Sequence, residues 1–82
     1  MPVMPAYQRV IEDIKTKIES GQWEPGYELP PPPTLAATYA AEWGISVSGP
    51  TVRRATDALQ LLGWLVGRQG VSVAVAQNPP IE

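Results

Sequence analysis

The chain has 82 residues, a formal net charge of −2 at pH 7, and neither cysteine nor histidine. This length suits one small domain with a modest core, because a chain of this size buries only about 60% of its unfolded surface. The missing residues exclude disulfides, thiolate metal sites and histidine-dependent catalysis, so we expect no enzyme activity, no metal and no cofactor. No apolar run reaches the ~20 residues that span a bilayer and the N-terminus lacks signal-peptide features, so we expect no membrane contact and a cytoplasmic location.

The first predicted element is an amphipathic helix over about residues 5–20, ended by Gly21 in a left-handed conformation. Apolar residues at steps of three and four share one face of it. They are Tyr7, Val10, Ile11, Ile14 and Ile18. The opposite face carries charged residues at the spacing of helix-surface ion pairs. The expected pairs are Asp13 with Lys17 and Lys15 with Glu19.

A turn and a short extended segment follow the first helix. Pro25-Gly26 predicts a type II turn, because proline presets one dihedral and glycine accepts the positive φ that comes next. Residues 27–29 alternate apolar and polar and predict a very short strand. Pro30-Pro31-Pro32-Pro33 favours an extended conformation. We interpret it as a stiff loop into the next helix, with Pro33 or Thr34 at its start, and keep as the alternative a docking ligand for an aromatic groove.

Two further helices are predicted. One covers about residues 34–43 and ends at Gly44. Its apolar face is Leu35, Ala36, Tyr39 and Trp43. The next begins after Ser48, whose hydroxyl can accept from backbone N–H groups that lack a partner, and carries Pro50 in its first turn, where a missing N–H costs little. Gly63 is expected to end it. Its predicted buried stripe is Val52, Ala55, Leu59 and Leu62.

The leading end of this third helix carries Thr51, Arg53 and Arg54, mostly off the apolar stripe. Hydroxyl and guanidinium groups at the N-terminal end of a short helix that is packed on one side suit insertion into a DNA major groove. The alternative is an ordinary surface helix in which Arg53 pairs with Asp57 one turn on.

The hydrophobic period changes to two after Gly63, on both sides of Gln69-Gly70, which predicts a β-hairpin. The order of helix, short strand, helix, helix and hairpin predicts a mostly α, α+β fold. It is a winged helix-turn-helix of three helices and a C-terminal wing, over residues 5–76. Residues 77–82 are predicted to be a disordered tail or the stub of a linker.

Several short segments occur in a characteristic order. They are Tyr7-Gln8-Arg9-Val10-Ile11, Ile18-Glu19-Ser20-Gly21-Gln22-Trp23, Pro25-Gly26, Leu29-Pro30, Leu35-Ala36, Val47-Ser48-Gly49-Pro50-Thr51-Val52-Arg53-Arg54-Ala55, Leu62-Gly63-Trp64-Leu65 and Arg68-Gln69-Gly70. In this order and spacing they resemble the N-terminal DNA-binding domain of GntR-type bacterial transcription regulators, over about residues 7–76. The resemblance implies a winged helix-turn-helix that binds double-stranded DNA.

The chain also departs from this family pattern. The pattern has Ser-x-Arg after Leu-Pro, where this chain has Pro31, Pro32 and Pro33, and it has an arginine where this chain has Gly49. The chain is several residues longer before Val47, which we expect to lengthen the connector. The resemblance transfers DNA contacts to Thr51, Arg53 and Gly70, with Arg54 and Arg68 as phosphate neighbours. Ser48, Pro50 and Gln69 complete the predicted site.

The sequence therefore predicts a sequence-specific DNA-binding transcription regulator, expected to be a repressor. A homodimer is expected if the domain is free-standing, and the chain has no room for a small-molecule effector domain. The alternative is a protein-interaction module on a diverged winged-helix scaffold, indicated by the acidic balance, the prolines and the missing arginines. In that case Trp43, Trp64 and Val71, if exposed together, would form an anchor patch; if not, they pack in the core or the hairpin.

Overall fold

The computed structural model describes residues 5–68 and 72–81, with only the backbone of Arg68. Three helices come first. They are α1 (Ala6–Glu19), α2 (Pro32–Trp43) and α3 (Gly49–Leu61). An antiparallel hairpin of β1 (Leu65–Arg68) and β2 (Ser72–Val75) follows. This confirms the predicted α+β winged helix-turn-helix. In the described ranges, no helix is long and apolar enough to cross a membrane.

The core forms where the apolar faces of α1 and α3 meet. Val10 and Ile14 of α1 and Val52 of α3 are fully buried. The predicted stripe of α3 is wrong at its last position, because Leu62 is 57% exposed. Leu62 is the C-cap residue, one position beyond the last residue of α3. Thr56 is buried in the stripe instead.

The start of α2 differs from the prediction. The helix begins at Pro32, with Pro31 as its N-cap, rather than at Pro33 or Thr34. Prolines fit this first turn, because its N–H groups have no partner inside the helix. The N–H group of Leu35 then donates the first helical hydrogen bond to Pro31, at 2.9 Å. The helix ends at Trp43, as predicted, and residues 44–48 connect it to α3.

The segment before α2 joins the hairpin as a third, very short strand. The predicted type II turn is present: Gly26 has φ +90° and the N–H of Tyr27 donates to the carbonyl of Glu24. Glu28 then forms an antiparallel bridge with Ala74. Ala74 and Val75 are both buried, so the alternation of the sequence does not separate a buried from an exposed face there.

Tyr39 links α2 to the charged face of α1. Its ring is 1% exposed and stacks on Trp43, with centroids 4.4 Å apart. Its hydroxyl is buried and has no hydrogen-bond partner among the described residues. Burial raises the pKa of this phenol, and the carboxylate of Asp13 raises it further. Asp13 pairs with Lys17 as predicted.

The second ion pair predicted on α1 is wrong. Lys15 lies 3.9 Å from Glu12, the residue three positions before it, rather than pairing with Glu19. Glu12 is exposed and Lys15 is half-buried, and an ion pair at this distance on the surface contributes little to stability.

Candidate nucleic-acid interface

The N-terminus of α3 is capped as the sequence predicts. The Oγ of Ser48 accepts a hydrogen bond from the N–H of Thr51 at 3.2 Å, and the two hydroxyl oxygens are 2.8 Å apart. Pro50 lies in the first turn, where it deprives the helix of no internal hydrogen bond. Ser48 and Pro50 are exposed and Thr51 is half-buried. The first turn therefore has a fixed geometry and faces solvent.

The two arginines of α3 point to different neighbours. Both are exposed. The guanidinium of Arg54 lies over the ring of Tyr7 in α1, 5.3 Å from its centroid. Arg53 and Asp57 are both described, and they form no salt bridge with each other. The pairing expected for an ordinary surface helix is therefore not observed. The charge of Arg53 is thus available to a ligand.

Arg53 lies on a groove bounded by α3, the proline segment and β2. Asp57 and Gln60 follow it along the same face of α3, Pro33 forms the opposite side, and Ser72 lies at the hairpin end. The prediction did not include Asp57 or Gln60. Asp57 is four residues and Gln60 seven residues after Arg53. This spacing was the available signal, because it marks a second stripe on the helix.

The N-termini of α2 and α3 are in contact at this groove. A Cβ atom placed on Gly49 would lie 3.7 Å from the backbone of Pro33, an ordinary van der Waals distance. The positions of the two missing family arginines therefore lie next to each other. At the other end of the groove, Gln60 packs against the hairpin: a Cβ on Gly67 would lie 2.9 Å from its Oε1. This contact fixes the position of the hairpin relative to α3.

The predicted wing contacts lie at the edge of the described structure. The backbone of Arg68 pairs with Ser72 in the hairpin register, and its side chain lies outside the description. Gln69 and Gly70 fall in the range 69–71, which is also outside it.

The exposed patch proposed for a protein-interaction module, made of Trp43, Trp64 and Val71, is not observed among the residues that the structure describes. Trp64 is 7% exposed and belongs to the core, which confirms the packing interpretation for it. Trp43 is half-buried under Arg9, whose guanidinium is 4.5 Å from the ring centroid. Val71 lies outside the described residues.

Comparison with known proteins identifies the family. The sequence model of the family described as "Bacterial regulatory proteins, gntR family" matches residues 6–75. The chain belongs to the GntR family. Its winged fold and this membership make it a GntR-type helix-turn-helix domain, and the resemblance indicated by the short segments is confirmed.

Two known proteins are similar to this GntR domain. It is 31% identical over 78 residues to an uncharacterized HTH-type transcriptional regulator, YdfD, of Bacillus subtilis (strain 168). That alignment covers 95% of the chain but 15% of the relative, so the chain spans only a small part of its relative's length. The crystal structure of a transcriptional antiterminator from Listeria monocytogenes EGD-e has the same fold, with a TM-score of 0.73 and 19% identity over 96% of this chain and 55% of the other.

Proposed function

We propose that this GntR domain binds double-stranded DNA by placing α3 in the major groove, with the hairpin beside it as a wing. The observation that carries the proposal is the exposed Arg53 on the groove, with no salt bridge to Asp57. Arg53 contacts base edges, Arg54 contacts phosphate, and Ser48 and the capped N-terminus of α3 lie at the backbone. Arg68 and the tip residues Gln69 and Gly70 approach the adjacent backbone or minor groove.

The dimensions and packing of α3 suit this role. Its 13 residues extend over about 20 Å, at 1.5 Å per residue, and the major groove admits one such helix. The face formed by Val52, Ala55 and Leu59 is buried. The core therefore holds α3 rigidly and leaves its opposite face for DNA.

The charge balance sets how strongly the domain binds. The chain has six basic and eight acidic residues, and Asp57 in the groove opposes phosphate. With about two to four phosphate contacts, the slope of log K against log salt is about −2 to −4. One such module binds weakly, so we propose a homodimer on a two-fold symmetric operator, where a second half-site supplies the missing affinity.

Repression is the mode of regulation that we propose. A small domain bound across a promoter blocks access of the polymerase by occupying the DNA, and it needs no activating contact of its own. Transcription in vitro from a promoter that carries the operator would fall as the protein is added; a rise would contradict this mode.

Selection from random duplex DNA tests the proposal. The chain is incubated with the pool at low and moderate salt, beside the double variant Arg53→Ala/Arg54→Ala. We expect enrichment of one motif, which the double variant loses because both guanidinium groups are gone. Absence of binding at low salt would overturn the DNA-binding proposal and favour the protein-interaction alternative.

A further inference from the structure

At the N-terminal end of α3, one edge of the groove has no side-chain hydrogen-bond donors. We call it the apolar ledge and define it as Pro33, Gly49 and Pro50, which all line the groove. Pro33 and Pro50 are exposed and Gly49 is half-buried. The two prolines also lack a backbone N–H, so the ledge offers mostly C–H groups to whatever enters the groove.

The row of residues along α3 connects the ledge to Arg53. Gly49, Arg53 and Asp57 are spaced four residues apart, so they lie one turn above another on the same face. All three line the groove. A DNA base pair at the ledge is therefore a near neighbour of the base pair that Arg53 contacts.

The major-groove edges of the bases differ in what they require of such a surface. Guanine presents two acceptors, N7 and O6, and needs a donor such as arginine. The ledge has no side-chain donor, and leaving those acceptors desolvated and unpaired is costly. Thymine presents a 5-methyl group, which an apolar surface matches.

We propose that the apolar ledge recognises thymine 5-methyl groups, so that the operator carries A·T base pairs beside the base pair contacted by Arg53. This inference rests on the proposed DNA-binding function. It assigns a positive role to the two positions where the family arginines are absent: proline and glycine there present an apolar surface in place of a guanidinium group.

Removal of the methyl group from the DNA tests this without altering the protein. Each thymine of the selected operator is replaced singly by deoxyuridine, and the affinity of the chain for each duplex is measured by fluorescence anisotropy. We expect about fourfold weaker binding at one or two thymines beside the Arg53 contact, the factor that corresponds to ~0.8 kcal/mol for one methyl-sized apolar group. The remaining thymines serve as internal controls and show no change.

A protein variant locates the effect. Gly49→Arg puts a donor on the ledge and fits the backbone, because the new Cβ meets Pro33 only at 3.7 Å. It should lose the sensitivity to uracil and favour guanine at those positions. Gln22→Arg adds the same charge at an exposed site outside the groove and should keep the uracil sensitivity.

The outcomes separate the two proposals. Normal binding with no effect of any uracil would overturn the thymine inference and leave the DNA-binding proposal standing. If uracil weakened the binding of Gly49→Arg as much as that of wild type, the thymine inference would also be overturned, because the apolar ledge would not be what contacts the methyl group. Failure to bind any duplex would overturn the DNA-binding proposal itself.

Discussion

Arg53 and Arg54 are adjacent and equally charged, yet their surroundings differ. Arg54 rests on Tyr7, and Arg53 lies on the groove with no salt bridge to Asp57. Replacing each by alanine should therefore separate base recognition from charge and packing. The two variants control for each other, because both lose one guanidinium from the same turn of α3.

The expected magnitudes follow from the contacts. Arg53→Ala should cost ~1–3 kcal/mol of specific binding, about 5- to 150-fold, and relax the base preference at one position. Its folding stability should stay within about 0.5 kcal/mol, because the side chain is exposed. Arg54→Ala should lose the cation–π contact, ~0.5–1 kcal/mol of stability. It should weaken binding to all sequences alike and reduce the salt slope by about 1.

Affinity, base preference and salt slope are measured by anisotropy titrations on the operator and on single-base variants at three salt concentrations. Folding stability is measured by thermal melts. The reasoning would be refuted if Arg54→Ala changed the base preference, or if Arg53→Ala melted lower than wild type while binding every sequence equally well.

Three predictions concern stability. Leu59→Ala should cost ~2–5 kcal/mol in chemical denaturation because Leu59 is fully buried, whereas Leu62→Ala should cost under about 0.5; equal costs would contradict the observed end of α3. Tyr39→Phe should leave stability at neutral pH equal or higher, because it removes a buried hydroxyl that has no hydrogen-bond partner among residues 5–68 and 72–81. The pKa of Tyr39 is raised in the folded state, so the folded state keeps the phenol proton at a pH where the unfolded state loses it. The stability of wild type should therefore fall as pH rises above about 10, and that of Tyr39→Phe should fall less. Melting temperatures that fall equally in both proteins above this pH would refute the prediction. Gly67→Ala should change stability by less than about 0.5 kcal/mol, because the new Cβ meets only the far end of the flexible Gln60 side chain, which can move away. A loss of more than about 1 kcal/mol that a Gln60→Ala background relieves would contradict this prediction.

The helices and most of their ends could be predicted because local chemistry determines them; the start of α2 at Pro32 was the exception. Ser48 caps α3, and Gly44 and Gly63 adopt positive φ where the helices α2 and α3 end. The type II turn at residues 24–27, before the short strand that pairs with β2, is equally local. In each case a side chain or a missing Cβ satisfies the backbone within a few residues, so no knowledge of the tertiary fold was needed.

The groove could not be predicted, because it depends on distant segments. Contact between Pro33 and Gly49, and between Gln60 and Gly67, arises only after α2, α3 and the hairpin have packed. The exposure of Leu62 was missed for a related reason: spacing alone does not show where the chain leaves the helix. The DNA contacts of Arg53 and its neighbours stay a prediction.

Chemical modification of the operator tests the central claim, entry of α3 into the major groove, most directly. Methylation of guanine N7 blocks the major-groove edge that an arginine would contact. We predict that N7 methylation of one guanine per half-site weakens binding by wild type about 5- to 150-fold, the loss expected for Arg53→Ala, and has no further effect on Arg53→Ala. Binding that is insensitive to every N7 methylation but blocked by methylation of adenine N3, in the minor groove, would contradict the account.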